Sequence, residues 1–315
     1  DAPDAHLATA LESGAIPAAS APGAVPARGL GRWLPLAGAV LAGAVLMFGA
    51  ARLLAPSRGA DAPLRKLALG KASKHERARK PVISPDGRAV AYLTPTHIVV
   101  RELNALETRT FPIDGTVEDL FWSPDGRSLG YIVRSRLTRV DALSGQQQVV
   151  CEAKGAFEGG SGAHWTPEGK ILFTQANKHG FFEVSERGGD PRAVLATDST
   201  REGDFHDPFV LLRGRGVIFV PHRTQDAFAA IELWAKGKRR ELVRLDGQVL
   251  SEPIYSPSGH ILFRRAPTNP GVWAVPFSLD RLEVTGEPFL VAPAGTAPSI
   301  SNDGTLVYLE GSSVA

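Results

Sequence analysis

Residues 120–132 read LFWSPDGRSLGYI, an apolar run, a four-residue break and a second apolar run. In the break, Pro124 presets the first turn position, Asp125 can accept backbone N–H bonds, and Gly126 tolerates the positive φ needed to re-enter a strand. The stretch is therefore a hairpin instruction. Its flanks agree: VEDLFW (117–122) and SLGYI (128–132) are rich in β-branched and aromatic residues, and LTRVDA (137–142) and QQVV (147–150) supply a third and a fourth strand.

The phrase recurs. PVISPDGRAVAYL occupies 81–93, AHWTPEGKILFTQ 163–175, PIYSPSGHILFRR 253–265 and PSISNDGTLVYLE 298–310, and a worn copy, DPFVLLRGRGVIFV, occupies 207–220. The markers Ser84, Ser123, Thr166, Ser256 and Ser301 are separated by 39, 43, 90 and 45 residues, and the worn copy at Leu211 divides the long gap in two. A period near 40 to 45 built of short strands is the signature of propeller blades. One blade alone is a small sheet with both faces wet, so only neighbours stacked around a ring bury Phe121, Trp122, Tyr131 and their counterparts.

The expected fold is thus all-β, a β-propeller of about six four-stranded blades over residues 80–315. Asp86, Gly87, Asp125, Gly126, Gly169, Gly259, Asp303 and Gly304 are read first as turn residues. Leu211 to Gly216 lacks the Pro and Asp of the turn, so the fourth hairpin is expected to turn differently. The last copy has no third or fourth strand, and either the segment around LRKLALG (64–70) closes the ring or the native chain continues, the second being favoured.

Upstream the chain divides into three zones. Residues 1–32 are rich in Ala, Pro and Gly without core spacing and read as a disordered linker. Residues 33–51 carry no charge, and as a helix these would reach about 28 Å, the thickness of a bilayer's hydrocarbon. A single transmembrane helix is expected over 33–54. Gly38, Ala39, Ala42 and Gly43 would let two such helices approach closely and dimerise. Residues 55–79 form a basic juxtamembrane linker that could rest on anionic lipid.

At 315 residues, 22% charged and 43% hydrophobic, the composition is that of an ordinary globular protein, and a formal charge of +2 gives no reason to expect nucleic acid. Cys151 is the only cysteine, so no internal disulfide forms. Asp1 is not an initiator, which points to a fragment or processed product.

No catalytic motif is present. Of the kinase elements only GDFHD (203–207) comes near D-F-G, and His206 stands where the Gly is required. GGSGAH (159–164) misses the hydrolase spacing by one residue, and Walker, H-E-x-x-H and paired-Cys motifs are missing. The chain is expected not to be an enzyme and to use no cofactor. Four positions before each marker, where the innermost strand meets the central channel, stand Lys80, Asp119, Gly162, Glu252 and Ala297, with Asp204, His206 and Asp207 near the worn copy. Asp119, His164, Asp204, His206, Asp207 and Glu252 are therefore candidate ligand-binding residues at a channel mouth. A metal held by His206, Asp207 and His222 is not expected, because nothing in the spacing fixes a ligand geometry.

SGHILFRRAPTNPGVWAVPFSLDRLEVTGEPFLVAPAGTAPSISNDGTLVYLE (258–310) resembles the TolB-like, WD-type propeller that follows the membrane span of bacterial serine/threonine protein kinases, and FHDPFVLLRGRGVIFV (205–220) is similar to a degraded form of another of its phrases. The resemblance covers residues 80–315. DAPDAHLATALESG (1–14) is similar to the tail of a kinase lobe. The resemblance implies a sensing or binding propeller outside the bacterial inner membrane, a single-pass anchor, an absent ATP-using kinase lobe inside, and a protein or small-ligand partner at the propeller face. Flanking charge argues the reverse topology, with Arg28 and Arg32 before the span against Arg52, Arg58, Arg65, Lys66, Lys71 and Lys74 after it. The outward orientation is preferred, since a folded upstream kinase would not be exported. The rival readings are a TolB-like scaffold of envelope proteins and a propeller-capped peptidase fragment.

Overall fold

The computed structural model describes residues 78–105, 107–152, 162–175, 178–226 and 228–311. The expected linker 1–32, the membrane helix 33–54, the segment 64–70 and nearly all of the basic linker lie outside these residues. Among the described residues no helix is long and apolar enough to cross a membrane.

The described chain is a β-propeller made of antiparallel sheets. The first sheet holds β1 (Arg79–Ile83), β2 (Ala89–Leu93), β3 (His97–Glu102) and β4 (Thr108–Pro112). β5 (Val117–Trp122), β6 (Ser128–Val133), β7 (Arg136–Asp141) and β8 (Gln147–Glu152) form the second, and β9 (Ala163–Trp165), β10 (Lys170–Gln175), β11 (Lys178–Ser185) and β12 (Arg192–Ala196) the third. The fourth comprises β13 (Glu202–Val210), β14 (Val217–Arg223), β15 (Ala230–Ala235) and β16 (Lys238–Arg244). In the fifth, β17 (Val249–Ser256), β18 (His260–Ala266) and β19 (Gly271–Ser278) are followed by two short strands, β20 (Glu283–Val284) and β21 (Phe289–Pro293), that share the outer edge of β19. The sixth sheet has only β22 (Gly295–Ile300) and β23 (Leu306–Glu310) among the described residues. The expectation of six four-stranded blades is thereby corrected to five full blades and a two-stranded sixth sheet.

The first strands touch one another in succession, β1 to β5, β9, β13, β17, β22 and back to β1, so the ring closes. Alternation of the strand residues sends one set of apolar side chains into each seam between sheets. Five clusters of buried apolar residues result, and each straddles one seam from the first pair of sheets to the fifth and sixth. Between the third and fourth sheets, for example, Phe181, Phe205 and Phe219 stack with ring centroids 4.8 to 5.1 Å apart. Among the described residues no such cluster joins the sixth sheet to the first. On that side Ile83, Val90 and Val99, which alternate with the residues facing the second sheet, are buried, and two polar bonds cross, from Ile83 N to Ser299 Oγ (3.0 Å) and from Asn302 N to Pro85 O (2.9 Å).

The hairpin phrase acts locally. Ser84 Oγ donates to Asp86 Oδ1 (2.6 Å), which also accepts from Arg88 N (3.1 Å), and Gly87 N closes the turn onto Ser84 O (2.9 Å). Ser123 with Asp125, and Ser301 with Asp303, repeat the pattern. Where Glu168 replaces the Asp, Thr166 Oγ1 is buried with no hydrogen-bond partner. The worn fourth copy keeps both backbone bonds of the second, Leu211 N to Gly216 O (2.8 Å) and Gly214 N to Leu211 O (3.1 Å), matching Ser123 N to Ser128 O and Gly126 N to Ser123 O. Its path differs: Arg213 and Gly214 are both left-handed (φ 60° and 61°), whereas only Gly126 is in the second copy. Leu211 takes the buried Ser position and packs into the apolar seam, which replaces the lost Asp bonds.

Candidate functional site

The end of the channel opposite the turns is built by a bulge repeated around the ring. The register of the first strand slips at Arg79/Val82, Val117/Asp119, His206/Phe209, Ser251/Ile254 and Thr296/Ser299. Four of the bulged residues, Lys80, Asp207, Glu252 and Ala297, sit in left-handed backbone (φ 45° to 55°), a conformation that costs a side-chain-bearing residue about 1 kcal/mol or more. A bulge re-aims its side chain. Here it aims each one at the neighbouring sheet.

The result is a belt of bonds from sheet to sheet. Lys80 Nζ pairs with Asp119 Oδ1 (3.0 Å), Asp119 Oδ2 accepts from Ala163 N (2.8 Å), Asp207 Oδ2 from Glu252 N (2.9 Å), and Glu252 Oε2 from Ala297 N (2.9 Å). Among the described residues no side-chain hydrogen bond bridges the third and fourth sheets at this level. Gly162 lies against the backbone there, and a Cβ on it would stand 2.7 Å from Asp207 Cα.

Electrostatically the belt is crowded with acid. Burial pushes the Asp207 carboxyl above the usual range, and burial together with the charge of Asp207 does the same to Glu252. Burial works to lower the Lys80 pKa, but the carboxylates of Asp119, Asp207 and Glu252 outweigh it and hold the ammonium charged. Beside this belt opens a cavity of about 420 Å³. Arg79, Lys80, Glu118, Glu252 and Arg264 give it a mixed charge, and Leu93, Val117 and Leu309 give it apolar wall. It lies against the first, second, fifth and sixth sheets, beside the seam between the last and the first.

Of the six residues singled out in the sequence, the structure brings Asp119, Asp207 and Glu252 into the belt. His164 stands in the wall of the channel with its ring 4.5 Å from that of Phe209, and burial lowers its pKa to about 4, leaving the imidazole neutral at pH 7. Asp204 and His206 turn away from the belt and meet His222: Asp204 Oδ1 lies 2.9 Å from His206 Nε2 and 3.0 Å from His222 Nδ1. Burial raises the Asp204 pKa, and the two imidazoles more than reverse that, leaving it low. Arg79 and Arg264 were not singled out, because each lies one register step or one strand away from the repeated position and only the bulges reveal that they share a wall. Cys151 is buried, and burial pushes its thiol up to about 11, so it offers no nucleophile at neutral pH.

No family model matches the chain, and no curated protein does. Solved structures do. A protein described as TolB from Agrobacterium tumefaciens superposes with a TM-score of 0.56 at 15% identity, covering 74% of this chain and 91% of that one. TolB from Acinetobacter baumannii gives 0.55 at 17% identity over 74% and 57%, and an oligogalacturonate lyase in complex with manganese gives 0.51 at 15% over 73% and 72%. The chain has a TolB-like β-propeller fold. At these identities the likeness reaches the fold and no further.

Proposed function

We propose that this propeller is a non-catalytic binding module that takes a small polar ligand at its channel mouth. In the full-length protein it is the sensory part of a single-pass receptor serine/threonine kinase of the bacterial inner membrane, with the propeller outside. The observation that carries the binding reading is the cavity beside the carboxylate belt, where Arg79, Lys80 and Arg264 face Glu118 and Glu252 in one partly apolar recess. Such a recess suits a molecule bearing both a carboxylate and an amine, with the arginines as forked partners for the acid and Glu252 for the base. The kinase association rests on the phrases of residues 205–220 and 258–310 and on the uncharged run 33–51.

Calorimetry of the full chain in detergent against a panel of small amino acids and dicarboxylates tests the reading. A ligand whose affinity falls at least about tenfold in Arg264→Ala, one strong charged hydrogen bond's worth, and is unmoved by Arg187→Ala on a remote turn is expected. Absence of any ligand, or ligands indifferent to Arg264, overturns it. Coding sequence upstream of Asp1 that lacks a kinase lobe overturns the receptor assignment alone.

A scaffold role, with protein partners on the blades, is favoured by one feature. Phe289, Leu290 and Val291 on β21 are each 40% or more exposed, a continuous apolar strip on the rim of the fifth blade.

A further inference from the structure

We infer that Asp204, His206 and His222 form a binding site for one divalent transition-metal ion, separate from the cavity and belt described above. The placement follows from strand geometry. Asp204 and His206 are two residues apart on β13 and so share a face, and His222 on β14 is the direct cross-strand partner of Asp204. Side chains so related start only about 5 Å apart at Cβ, close enough for three donors to converge on one point. They do converge: one donor atom from each residue lies within 4.8 Å of the other two, with Asp204 Oδ1 2.9 and 3.0 Å from the imidazole nitrogens. A tetrahedral ion with bonds of about 2.0 to 2.1 Å holds its donors about 3.3 Å apart, so the two Asp204 separations need to widen by only a few tenths of an ångström, and the two imidazole nitrogens, within 4.8 Å of each other, settle to the same spacing by rotation of the exposed His222.

Donor chemistry selects the ion. Two imidazoles and one carboxylate suit Zn²⁺, Co²⁺ or Ni²⁺, whereas Ca²⁺ and Mg²⁺ take oxygen shells. On binding, the proton that each neutral imidazole shares with Asp204 is exchanged through solvent to that ring's other nitrogen, His206 Nδ1 and His222 Nε2, and the carboxylate and two neutral rings then face the cation through His206 Nε2, His222 Nδ1 and Asp204 oxygen. The surroundings are those of a held site. Phe228 stacks on His222 with centroids 4.5 Å apart and meets His206 edge-on at 4.9 Å, and its carbonyl accepts from Leu250 N (2.8 Å), which ties the roof to the fifth sheet. His206 is 7% exposed at its side chain and His222 42%, so the open coordination position faces solvent on the His222 side, ready for water or an anionic donor.

The test uses the full chain in detergent, stripped with chelator and titrated with Co²⁺, whose visible d–d bands report tetrahedral nitrogen and oxygen ligation. One Co²⁺ per chain, with those bands, displaced by Zn²⁺ and unaffected by excess Ca²⁺ or Mg²⁺, is expected. Asp204→Asn, which keeps the side chain's shape, and His222→Gln, at the exposed position, should each weaken binding at least about tenfold, the least that loss of a group next to a metal ligand costs. Circular dichroism confirms that both variants are folded. Absence of Co²⁺ binding at 100-fold excess over chain, or binding of equal strength in both folded variants, overturns the site and leaves the three residues as a hydrogen-bonded triad. Neither result bears on the cavity, because none of the three residues lines it.

Discussion

The third-to-fourth and the last-to-first seams of the propeller are built differently. The seam between the third and fourth sheets is a cluster of tilted and edge-on phenylalanines; the seam between the last and first sheets buries the aliphatic Ile83, Val90 and Val99 and adds two hydrogen bonds, beside a charged cavity. The contrast traces to strand number. A four-stranded sheet covers its neighbour with a full apolar face, while β22 and β23 offer a narrow one on either side: Leu306 and Tyr308 pack half-buried against the fifth sheet, and Val307 is half-buried too. Burial of apolar area dominates the gain on folding, so the seams between complete blades are expected to carry more of the stability than the one beside the cavity.

The comparison breaks most directly at Phe205, fully buried among aromatic rings and under the Arg239 guanidinium. Phe205→Ala should cost about 3 to 5 kcal/mol in chemical denaturation. Next comes the belt. Asp207→Ala leaves the Glu252 amide without its acceptor and should cost about 2 kcal/mol, whereas Asp207→Asn keeps an acceptor, removes a charge that burial disfavours, and should stay within about 1 kcal/mol of the parent at pH 7. At the last-to-first seam Ser299→Ala removes one hydrogen bond and should cost about 1 kcal/mol; a loss as large as that of Phe205→Ala would erase the contrast between seams.

The smallest effect is in pH. Bonds from Ser301 and Thr305 hold Asp303 below the usual carboxylate range, and those from Ser84 and Arg88 do the same for Asp86. A carboxyl with a depressed folded pKa stabilises above its unfolded value, near 3.8, and that contribution is lost as pH falls. Asp207 and Glu252, raised, act in the opposite sense: they weaken the fold as pH rises through about 4 and above. Melting of Asp303→Asn should therefore fall less than the parent's on acidification below pH 4, by under about 1 kcal/mol since the turn is mostly solvent-exposed.

Much of this was legible in the sequence because turns and bulges are local. Ser84, Asp86 and Gly87 satisfy one another within a few residues, so their repetition announces both the hairpins and the period. The belt positions could be found by counting back four from the markers, since each bulge sits at a fixed distance from its turn. Non-local register was not legible. His222 meets Asp204 rather than Asp207 because a slip between His206 and Phe209 swings Asp207 toward the fifth sheet while leaving Asp204 opposite β14. The split outer strand of the fifth blade follows from the hairpin between Phe277 and Val284, which uses up the edge of β19 before β21 arrives.

A joint whose one side has only two strands among the described residues is where the ring is expected to open first, because no outer strands brace it. Backbone amides of β1 and β23 should then exchange with solvent ahead of those in the phenylalanine stack. A guest gripping both Arg79 and Arg264 would act as a clasp across that joint, slowing exchange in the first and last sheets and turning occupancy into a mechanical state of the whole circle.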